Sequence, residues 1–239
     1  MKKAQSIHHR HFPYQYPTFG TDKNPKPNSA WECSVYYWWW EYLKRSKDYL
    51  ECCENGGKGK CSKVYKDFGD IRTKTFKRWW LDGNRGAELF AELPVEETVR
   101  VLKEGEKALS DVEYLTISFP KNFPIKMLEK RFKELLEQNR KRGRGKTLAR
   151  ESNAKYRFNG QPNIEGLRTA LRVYDFAQEN PHLKLWEIGN ELHKFLVAYK
   201  TNPNDPDFSG NKNILGATVK RHLTKVQRRL KSVALGQFP

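Results

Sequence analysis

One stretch of thirteen residues, Trp31–Leu43, constrains the fold more than any other part of the sequence. It contains three consecutive tryptophans, Trp38 to Trp40, together with three tyrosines. On a helix, these large side chains surround nearly the whole circumference, and a helix that is apolar on all sides is a buried one. With Ser29 as its N-cap, the stretch predicts a helix from about Ala30 to Cys53 at the centre of an amino-terminal domain. Exposed rings would instead stack the bases of a single strand, but burial accounts better for so much apolar area.

Apolar spacing along the rest of the chain predicts a mainly α protein with a minor β component, an α+β fold. Beyond the aromatic stretch, the predicted helices are Thr73–Leu81, Val95–Leu109, Ile125–Arg142, Ile164–Glu179, Lys184–Val197 and Ile214–Leu235. Asn163 is predicted to cap the helix Ile164–Glu179. Alternation of apolar and polar residues predicts two short strands, Glu113–Pro120 and Lys155–Asn159. A further short extended segment is predicted at Lys63–Ile71. We expect a flexible, proline-rich arm at residues 1–28, an aromatic-rich helical domain at 29–110 and a basic α+β domain at 111–239.

Composition excludes several classes of protein. Aromatic residues make up 13% of the chain, which is too many for a disordered protein. No stretch approaches the ~20 apolar residues that cross a bilayer, and the polar, histidine-rich start lacks the apolar run of a secretory signal. We therefore expect a cytoplasmic protein with no membrane partner, in which the four cysteines stay reduced.

Positive charge is concentrated in two segments. The 239 residues include 45 Lys or Arg and 28 Asp or Glu, which gives a formal net charge of +17. Residues 139–157 hold eight of the cations against Glu151 alone, and residues 212–231 hold seven cations and no acid. These two segments carry most of the excess, and a chain this basic favours polyanionic partners.

The last three predicted helices are the main candidate for a binding surface. Their order matches a tri-helical, helix-turn-helix-like DNA-binding unit at residues 163–239, although the connection at about 199–213 is longer than the usual turn of about 3–4 residues. The final helix has an apolar stripe, and the residues that we expect to bind nucleic acid lie outside this stripe. They are Lys220, Arg221, Lys225, Arg228 and Arg229. The alternative interpretation is a basic helix face that is merely solvated.

A basic, glycine-containing loop after the helix Ile125–Arg142 is the second candidate. Its phosphate-binding candidates are Arg140, Lys141, Arg142, Arg144, Lys146 and Arg150. Cations on a flexible loop can bind backbone phosphates and become ordered on DNA or RNA. The Gly-Lys-Thr at residues 145–147 is not a P-loop, because the motif needs glycine where Arg140 stands and no strand precedes it.

The sequence offers no distinctive catalytic or metal-binding motif. Cys52, Cys53 and Cys61 lack the paired spacing with which thiolates hold zinc, so we expect neither a metal nor a cofactor. Two sets of acids have a basic group nearby, Glu187 and Glu191 with His193, and Asp67 and Asp70 with Lys63 and Lys66. Neither set differs from ordinary surface charge pairs, so the sequence favours a non-enzymatic role.

Two stretches of the chain resemble uncharacterised proteins of bacterial and prophage genomes. The first combines Tyr-Tyr-Trp-Trp-Trp-Glu-Tyr-Leu at 36–43 with Phe-Gly-Asp at 68–70 and Phe-Lys-Arg-Trp-Trp at 76–80. The second runs from Lys-Arg-His-Leu at 220–223 to Gly-Gln-Phe-Pro at 236–239. The resemblance covers most of the chain and implies a phage or mobile-element origin, but it brings no activity and no functional residue with it.

These observations together predict a nucleic-acid-binding protein, with double-stranded DNA favoured over RNA, that acts as a regulator or accessory factor of a bacterial mobile element or phage. The aromatic-rich region would hold a protein partner or a second protomer. Two alternatives from other classes stay open. One is a metal-dependent nuclease, and the other is an assembly protein that binds an acidic protein partner.

Overall fold

Aromatic side chains decide the path of the amino-terminal part of the chain. The computed structural model describes residues 12–21, 23–27, 29–92, 105, 115–139, 152–198 and 200–239. In it, the single long helix that the sequence predicts is three helices, α1 (Ser29–Glu32), α2 (Val35–Arg45) and α3 (Lys47–Glu54). Ser34 and Ser46 separate them with extended backbone angles, and the Ser34 hydroxyl donates a 2.9 Å hydrogen bond to the Gln15 carbonyl. A serine side chain that forms a hydrogen bond with backbone outside the helix favours the end of the helix over its continuation. The spacing of apolar residues does not reveal such a bond.

Further helices follow along the chain. They are α4 (Ser62–Phe68), α5 (Phe76–Leu81), α6 (Arg85–Phe90), α7 (Ile125–Asn139), α8 (Ile164–Glu179), α9 (Leu185–Glu191), α10 (His193–Leu196) and α11 (Phe208–Ala234). The predicted bounds of α8 are confirmed, and so is its cap. The Asn163 side-chain oxygen accepts a 3.0 Å hydrogen bond from the Gly166 N–H, which satisfies one of the free donors at the start of the helix.

The mainly α prediction is confirmed, but the minor β component does not appear in the described residues. Residues 115–120 have no regular secondary structure, and the described chain forms no strand longer than an isolated bridge. In the second predicted strand only Phe158 pairs, with Phe238. Ala154, Tyr156 and Phe158 are nevertheless buried. The alternation arises because the segment is extended, so that every second side chain points into the protein core. It does not show that the segment joins a sheet.

The chain divides into two compact units that do not follow the predicted boundary at residue 110. One unit comprises Met1–Leu93 and Gly145–Pro239, and the other comprises Pro94–Arg144. The first unit is built from both ends of the chain. The fully buried ring of Trp39 lies 5.2 Å from the ring of Phe158 and 5.4 Å from that of Phe238. Such contacts join residues more than a hundred positions apart, so composition along the chain could not place the boundary.

Part of the predicted flexible arm is packed on this core. Phe19 is buried, and the ring of Phe12 lies edge-on to that of Tyr16 at 4.9 Å. The Tyr14 hydroxyl donates a 2.8 Å hydrogen bond to the Gly160 carbonyl. Four aromatic side chains give this proline-rich segment enough apolar area to bury, so residues 12–19 pack against the core, whereas residues 23–27 are exposed.

The three tryptophans of α2 are core residues, as predicted. Trp38, Trp39 and Trp40 are 7%, 0% and 3% exposed. These rings pack against the chain's own aromatic residues and present no stacking surface for bases. They also offer no exposed ring to the protein partner that the sequence assigned to this region.

A second, smaller hydrophobic cluster joins the helices of the predicted tri-helical unit. Its buried members are Val173, Ile188, Leu192 and Val219, which come from α8, from α9 and its end, and from α11. α9 lies close against α11 at Gly189, where an added Cβ would stand 3.0 Å from the Leu215 Cβ. Residues 197–207 connect α10 to α11, so the connection is longer than a strict helix-turn-helix allows.

Candidate nucleic-acid interface

The apolar residues of α11 determine which side of this helix is buried. They follow one another at intervals of three, four or seven positions, which places them on one stripe: Leu215, Val219, Val226, Leu230 and Val233. The sequence predicted this stripe with Leu223 as a sixth member; the five residues are buried, Leu223 is partly buried, and the stripe packs against α2, α8 and α9. With 27 residues, α11 is about 40 Å long, so it presents a long opposite side to solvent.

Cations cover that opposite side in the carboxyl-terminal half of α11. Lys220, Arg221, Lys225 and Arg228 are exposed, as predicted for a surface, and so is Lys231. Arg221, Lys225 and Arg228 are four and three positions apart, so they form a row along the helix. Lys220 and Lys231 lie beside this row. We call these five residues the basic face of α11; it spans about 17 Å of the helix axis.

No described carboxylate lies within ion-pairing distance of the basic face. In the first unit other cations are neutralised by neighbours, such as Arg45 by Asp175 and Arg72 by Asp70, both at 2.7 Å. α11 itself contains no acid. The positive potential of the face therefore reaches into solvent over about 8–10 Å at physiological salt.

Helix stability alone does not explain these cations. Positive side chains stabilise a helix when they lie near its carboxyl end, but this effect falls off within the last turn. Only Lys231 lies in the last turn of α11. The other four residues of the basic face gain little from the helix dipole.

Arg229 differs from the five residues of the basic face, because it is half-buried. Its guanidinium lies beside the Tyr42 hydroxyl: burial raises the pKa of Tyr42, and Arg229 partly offsets the rise. The same hydroxyl donates a 3.2 Å hydrogen bond to the Leu167 carbonyl. Arg229, a predicted nucleic-acid contact, is thus placed where it joins α11 to α2.

His222 adds no charge to this helix at neutral pH. Burial, and then the nearby cations Lys225, Arg221 and Arg229, lower the pKa of His222. Its Nδ1 atom is buried without a hydrogen-bond partner in the described part of the chain. A histidine in this environment stays neutral because both its desolvation and its neighbours disfavour the charged form.

α11 begins six residues earlier than predicted, and this added part changes the candidate interface. The exposed side of the amino-terminal part of α11 is neutral: it carries Gly210 and Asn213 from the added residues, and then Ile214 and Ala217. Ile214 precedes Arg221 by seven positions, so the neutral side and the basic face form one continuous surface. The cation in this part, Lys212, instead lies over the rings of Trp186 and Phe208, at 5.6 and 5.9 Å. Ser209, Gly210, Asn211 and Asn213 are weak helix formers, and the packing of the Phe208 ring on that of Trp186 supports this start.

The six candidates in the basic loop, Arg140 to Arg150, lie outside the described residues. Their assignment as phosphate-binding residues stays a prediction.

Three of the four acids considered for catalysis, Asp67, Asp70 and Glu187, have structural partners. Asp67 accepts hydrogen bonds from the Tyr156 hydroxyl at 2.7 Å and from the Lys155 ammonium at 2.5 Å. Glu187 accepts a 2.6 Å hydrogen bond from the backbone N–H of Lys184 at the start of α9. Within the described ranges, no group of three His, Cys, Asp or Glu side chains is arranged to hold a metal ion. Asp67, Asp70 and Glu187 therefore each have a role in the fold, whereas Glu191 is exposed.

Similarity to known proteins does not assign a role to this interface. No family model, no curated protein and no solved structure matches it. Of the helices that the structure describes, none is both long enough and apolar enough to cross a bilayer.

Proposed function

We propose that the protein binds double-stranded DNA through α11, as a non-enzymatic regulator or accessory factor of a bacterial mobile element or phage. The observation that carries the proposal is the basic face of α11, five exposed cations with no described acid within ion-pairing distance. Each cation that reaches a phosphate releases condensed counterions, which favours binding. The textual resemblance to prophage proteins supports the biological setting.

The dimensions of α11 favour a groove of B-form DNA. An α-helix with its side chains is about 10–12 Å wide, and the major groove is about 12 Å wide. The neutral side of α11 would face the base edges. There, Asn213 offers an amide suited to adenine, and Ala217 offers a methyl group suited to thymine. The basic face that follows would contact phosphates.

Duplex DNA is favoured over the other nucleic acids for two reasons. The major groove of A-form RNA is deep and narrow, so a helix cannot enter it. Proteins that bind single strands stack bases on exposed aromatic rings, whereas the tryptophans of α2 are buried. The long helix α11 is therefore better suited to a duplex.

Fluorescence anisotropy with labelled duplex DNA across a salt series tests the proposal. The variant Arg221→Gln, Lys225→Gln, Arg228→Gln removes three charges while keeping a good helix former at each position. If three phosphate contacts are lost, the slope of log K against log salt decreases by about 2.7. Between about 50 and 200 mM salt, wild-type affinity should then fall about 40-fold more than that of the variant.

A second triple variant controls for the change in net charge. Lys23, Lys26 and Lys58 are exposed and lie outside α11. Their replacement by Gln also removes three charges, and we expect it to leave the slope within about 1 of wild type. Equal slopes for the two triple variants would contradict the assignment of the interface to α11. Undetectable duplex binding at low salt would remove the proposal itself.

The same samples separate the alternatives. Cleavage of DNA or RNA with Mg²⁺ or Mn²⁺ would indicate a nuclease instead. A salt-sensitive complex with an acidic protein, without any nucleic-acid binding, would indicate an assembly protein.

A further inference from the structure

Val197, the residue that follows α10, has a strained backbone conformation. Its φ is 52° and its ψ is 44°, which lie in the left-handed region. A side chain branched at Cβ is an outlier in this region, because its Cβ crowds the following carbonyl oxygen. Helices often end on a residue with these angles, but that residue is usually glycine. The turn itself therefore does not explain the valine.

The side chain of Val197 makes little contact with the rest of the protein. It is 95% exposed, more than any other large hydrophobic side chain in the described chain. The backbone around it is nevertheless held in place. The Ala198 N–H donates a 3.0 Å hydrogen bond to the His193 carbonyl, and the Thr201 N–H donates one of 2.8 Å to the Asn190 side chain. Strained residues that their surroundings hold in this way cluster at binding sites.

Phe195, two residues before Val197, is a second exposed apolar side chain. It is 49% exposed, and the guanidinium of Arg172 from α8 lies 3.8 Å from the centre of its ring. This cation–π contact orients the guanidinium, whose planar fork of N–H donors suits a phosphate. We call Phe195 and Val197 together the α10 tip.

Cations flank the α10 tip. Arg172, Lys194 and Lys200 are exposed. No carboxylate in the described ranges lies within ion-pairing distance of these three residues, and residues 192–204 contain no Asp or Glu. An apolar tip flanked by cations is complementary to a partner that combines negative charge with apolar surface. Duplex DNA has both, in its phosphates and in its sugars and bases.

The α10 tip lies near the proposed DNA interface. Leu196, which separates Phe195 from Val197, packs on the smaller hydrophobic cluster, and so does Leu223 of α11. Leu223 lies within the stretch of α11 that carries Lys220, Arg221 and Lys225. α10 therefore lies close to the part of α11 where the basic face begins.

We propose that the α10 tip enters the minor groove of the duplex that α11 binds, as an apolar wedge between base steps. This inference rests on the proposed function. The minor groove is about 6 Å wide, which is too narrow for an α-helix but wide enough for a projecting side chain. Apolar side chains in this groove partly unstack the bases and bend the duplex. Arg172, Lys194 and Lys200 would contact the phosphates along its edges.

The variant Val197→Gly separates binding from folding. Glycine adopts the left-handed conformation without strain, so we expect Tm to rise by about 2–4 °C. Affinity for duplex DNA should fall about tenfold, because one apolar contact is lost. Since no phosphate contact changes, the loss should be equal at every salt concentration. Phe195→Ala should lower the affinity in the same way. The control Leu81→Ala removes an exposed apolar side chain of α5 and should leave the affinity unchanged.

A short duplex with a fluorescent dye at each end tests the wedge directly. Minor-groove wedges bend DNA by about 20–90°, so saturating wild-type protein should bring the two dyes closer and raise the energy transfer between them. Val197→Gly and Phe195→Ala should reduce this increase at saturation. The double variant Lys194→Gln, Lys200→Gln tests the flanking cations, and it should lower the slope of log K against log salt by about 1.8.

Three results would overturn this proposal and leave the one for α11 intact. They are an unchanged affinity in Val197→Gly and Phe195→Ala, an equal loss in Leu81→Ala, and a duplex that stays straight at saturation. In each case the triple variant of α11 would still lower the salt slope. Undetectable duplex binding by the wild-type protein would remove both proposals. Binding to anionic phospholipid vesicles that Val197→Gly abolishes, with duplex affinity unchanged, would show that the α10 tip meets a membrane surface instead.

Discussion

Replacement of Gly86 by alanine should destabilise the protein, although alanine is the better helix former. In α6, alanine in place of glycine favours the helix by up to about 1 kcal/mol. At this position, however, the added Cβ would stand 2.2 Å from Cδ2 and 2.3 Å from Cε2 of Trp80. Carbon atoms in contact need about 3.5–4.0 Å, so the ring or the backbone would have to retreat by more than about 1 Å.

The ring of Trp80 has no room for this movement. It is 2% exposed, and it lies parallel to the ring of Phe90 at 6.0 Å. Tyr36 and Phe76 pack against it at 5.4 and 5.5 Å, and its indole N–H donates to the Tyr16 hydroxyl at 3.3 Å. Overpacking of a core costs about 1–3 kcal/mol, and a rigid aromatic neighbour places this site at the upper end. After the gain in helix propensity, we expect a net loss of about 2 kcal/mol in the free energy of unfolding.

Tryptophan fluorescence during urea or thermal unfolding measures this loss directly. All seven tryptophans belong to the unit formed by Met1–Leu93 and Gly145–Pro239, so the signal reports that unit alone. A loss of about 2 kcal/mol corresponds to a decrease of about 4–8 °C in Tm. Gly216→Ala in α11 is the matched control, because its Cβ would stand 3.9 Å or more from the described atoms around it. We expect this control to gain about 0.5–1 kcal/mol. A gain in Gly86→Ala equal to that of the control would refute the steric argument.

Three more predictions rest on buried polar groups. Burial raises the pKa of the Cys53 thiol to about 11, and Cys52 and Cys61 are also buried, so a thiol reagent at pH 8 should modify Cys33 rapidly and the other three only after unfolding. Asp67→Ala should lower the free energy of unfolding by about 1–3 kcal/mol, because it leaves the Tyr156 hydroxyl without its hydrogen-bond acceptor. Adding Tyr156→Phe to this variant should recover most of the loss. The pKa of His222 is lowered in the folded state, so the unfolded chain binds more protons below about pH 6.5. Stability should therefore fall with pH below 6.5, and urea unfolding of His222→Gln at pH 7.5 and 5.5 should show a smaller fall.

Helix α8 and the carboxyl-terminal half of α11 illustrate what a local pattern determines. Their apolar residues recur at helical spacing, so this spacing alone assigns the buried side and the side left to Arg221, Lys225 and Arg228. The cap at Asn163 is equally local, because donor and acceptor are three residues apart. α7 adds a limit to this reasoning. Its spacing identifies an apolar side, but it does not say whether that side packs within the chain.

Misassigned elements have long-range causes. The sequence predicts a short extended piece at Lys63–Ile71, but most of this segment is the helix α4. Its Val64 and Phe68 are buried under aromatic residues from other parts of the chain. Extended residues that alternate between core and solvent, such as Tyr156 and Phe158, have the pattern of a strand without a partner strand. In both cases residues from distant segments surround the side chains. The stabilisation that the side chains gain from this burial outweighs the local preference for helix or strand.

The charged surface of this protein follows from the order of its residues, whereas the assembly of its core depends on tertiary contacts. Cations four and three positions apart share a helix face wherever the helix is placed, so the basic face of α11 follows from the period of the helix. The core brings Phe158 and Phe238 against Trp39, and it orders Tyr14 against Gly160. These contacts depend on the shapes of segments far apart in the chain, which no spacing rule encodes. The same dependence explains why Arg229, similar to its neighbours in sequence, is placed beside Tyr42 instead of in solvent.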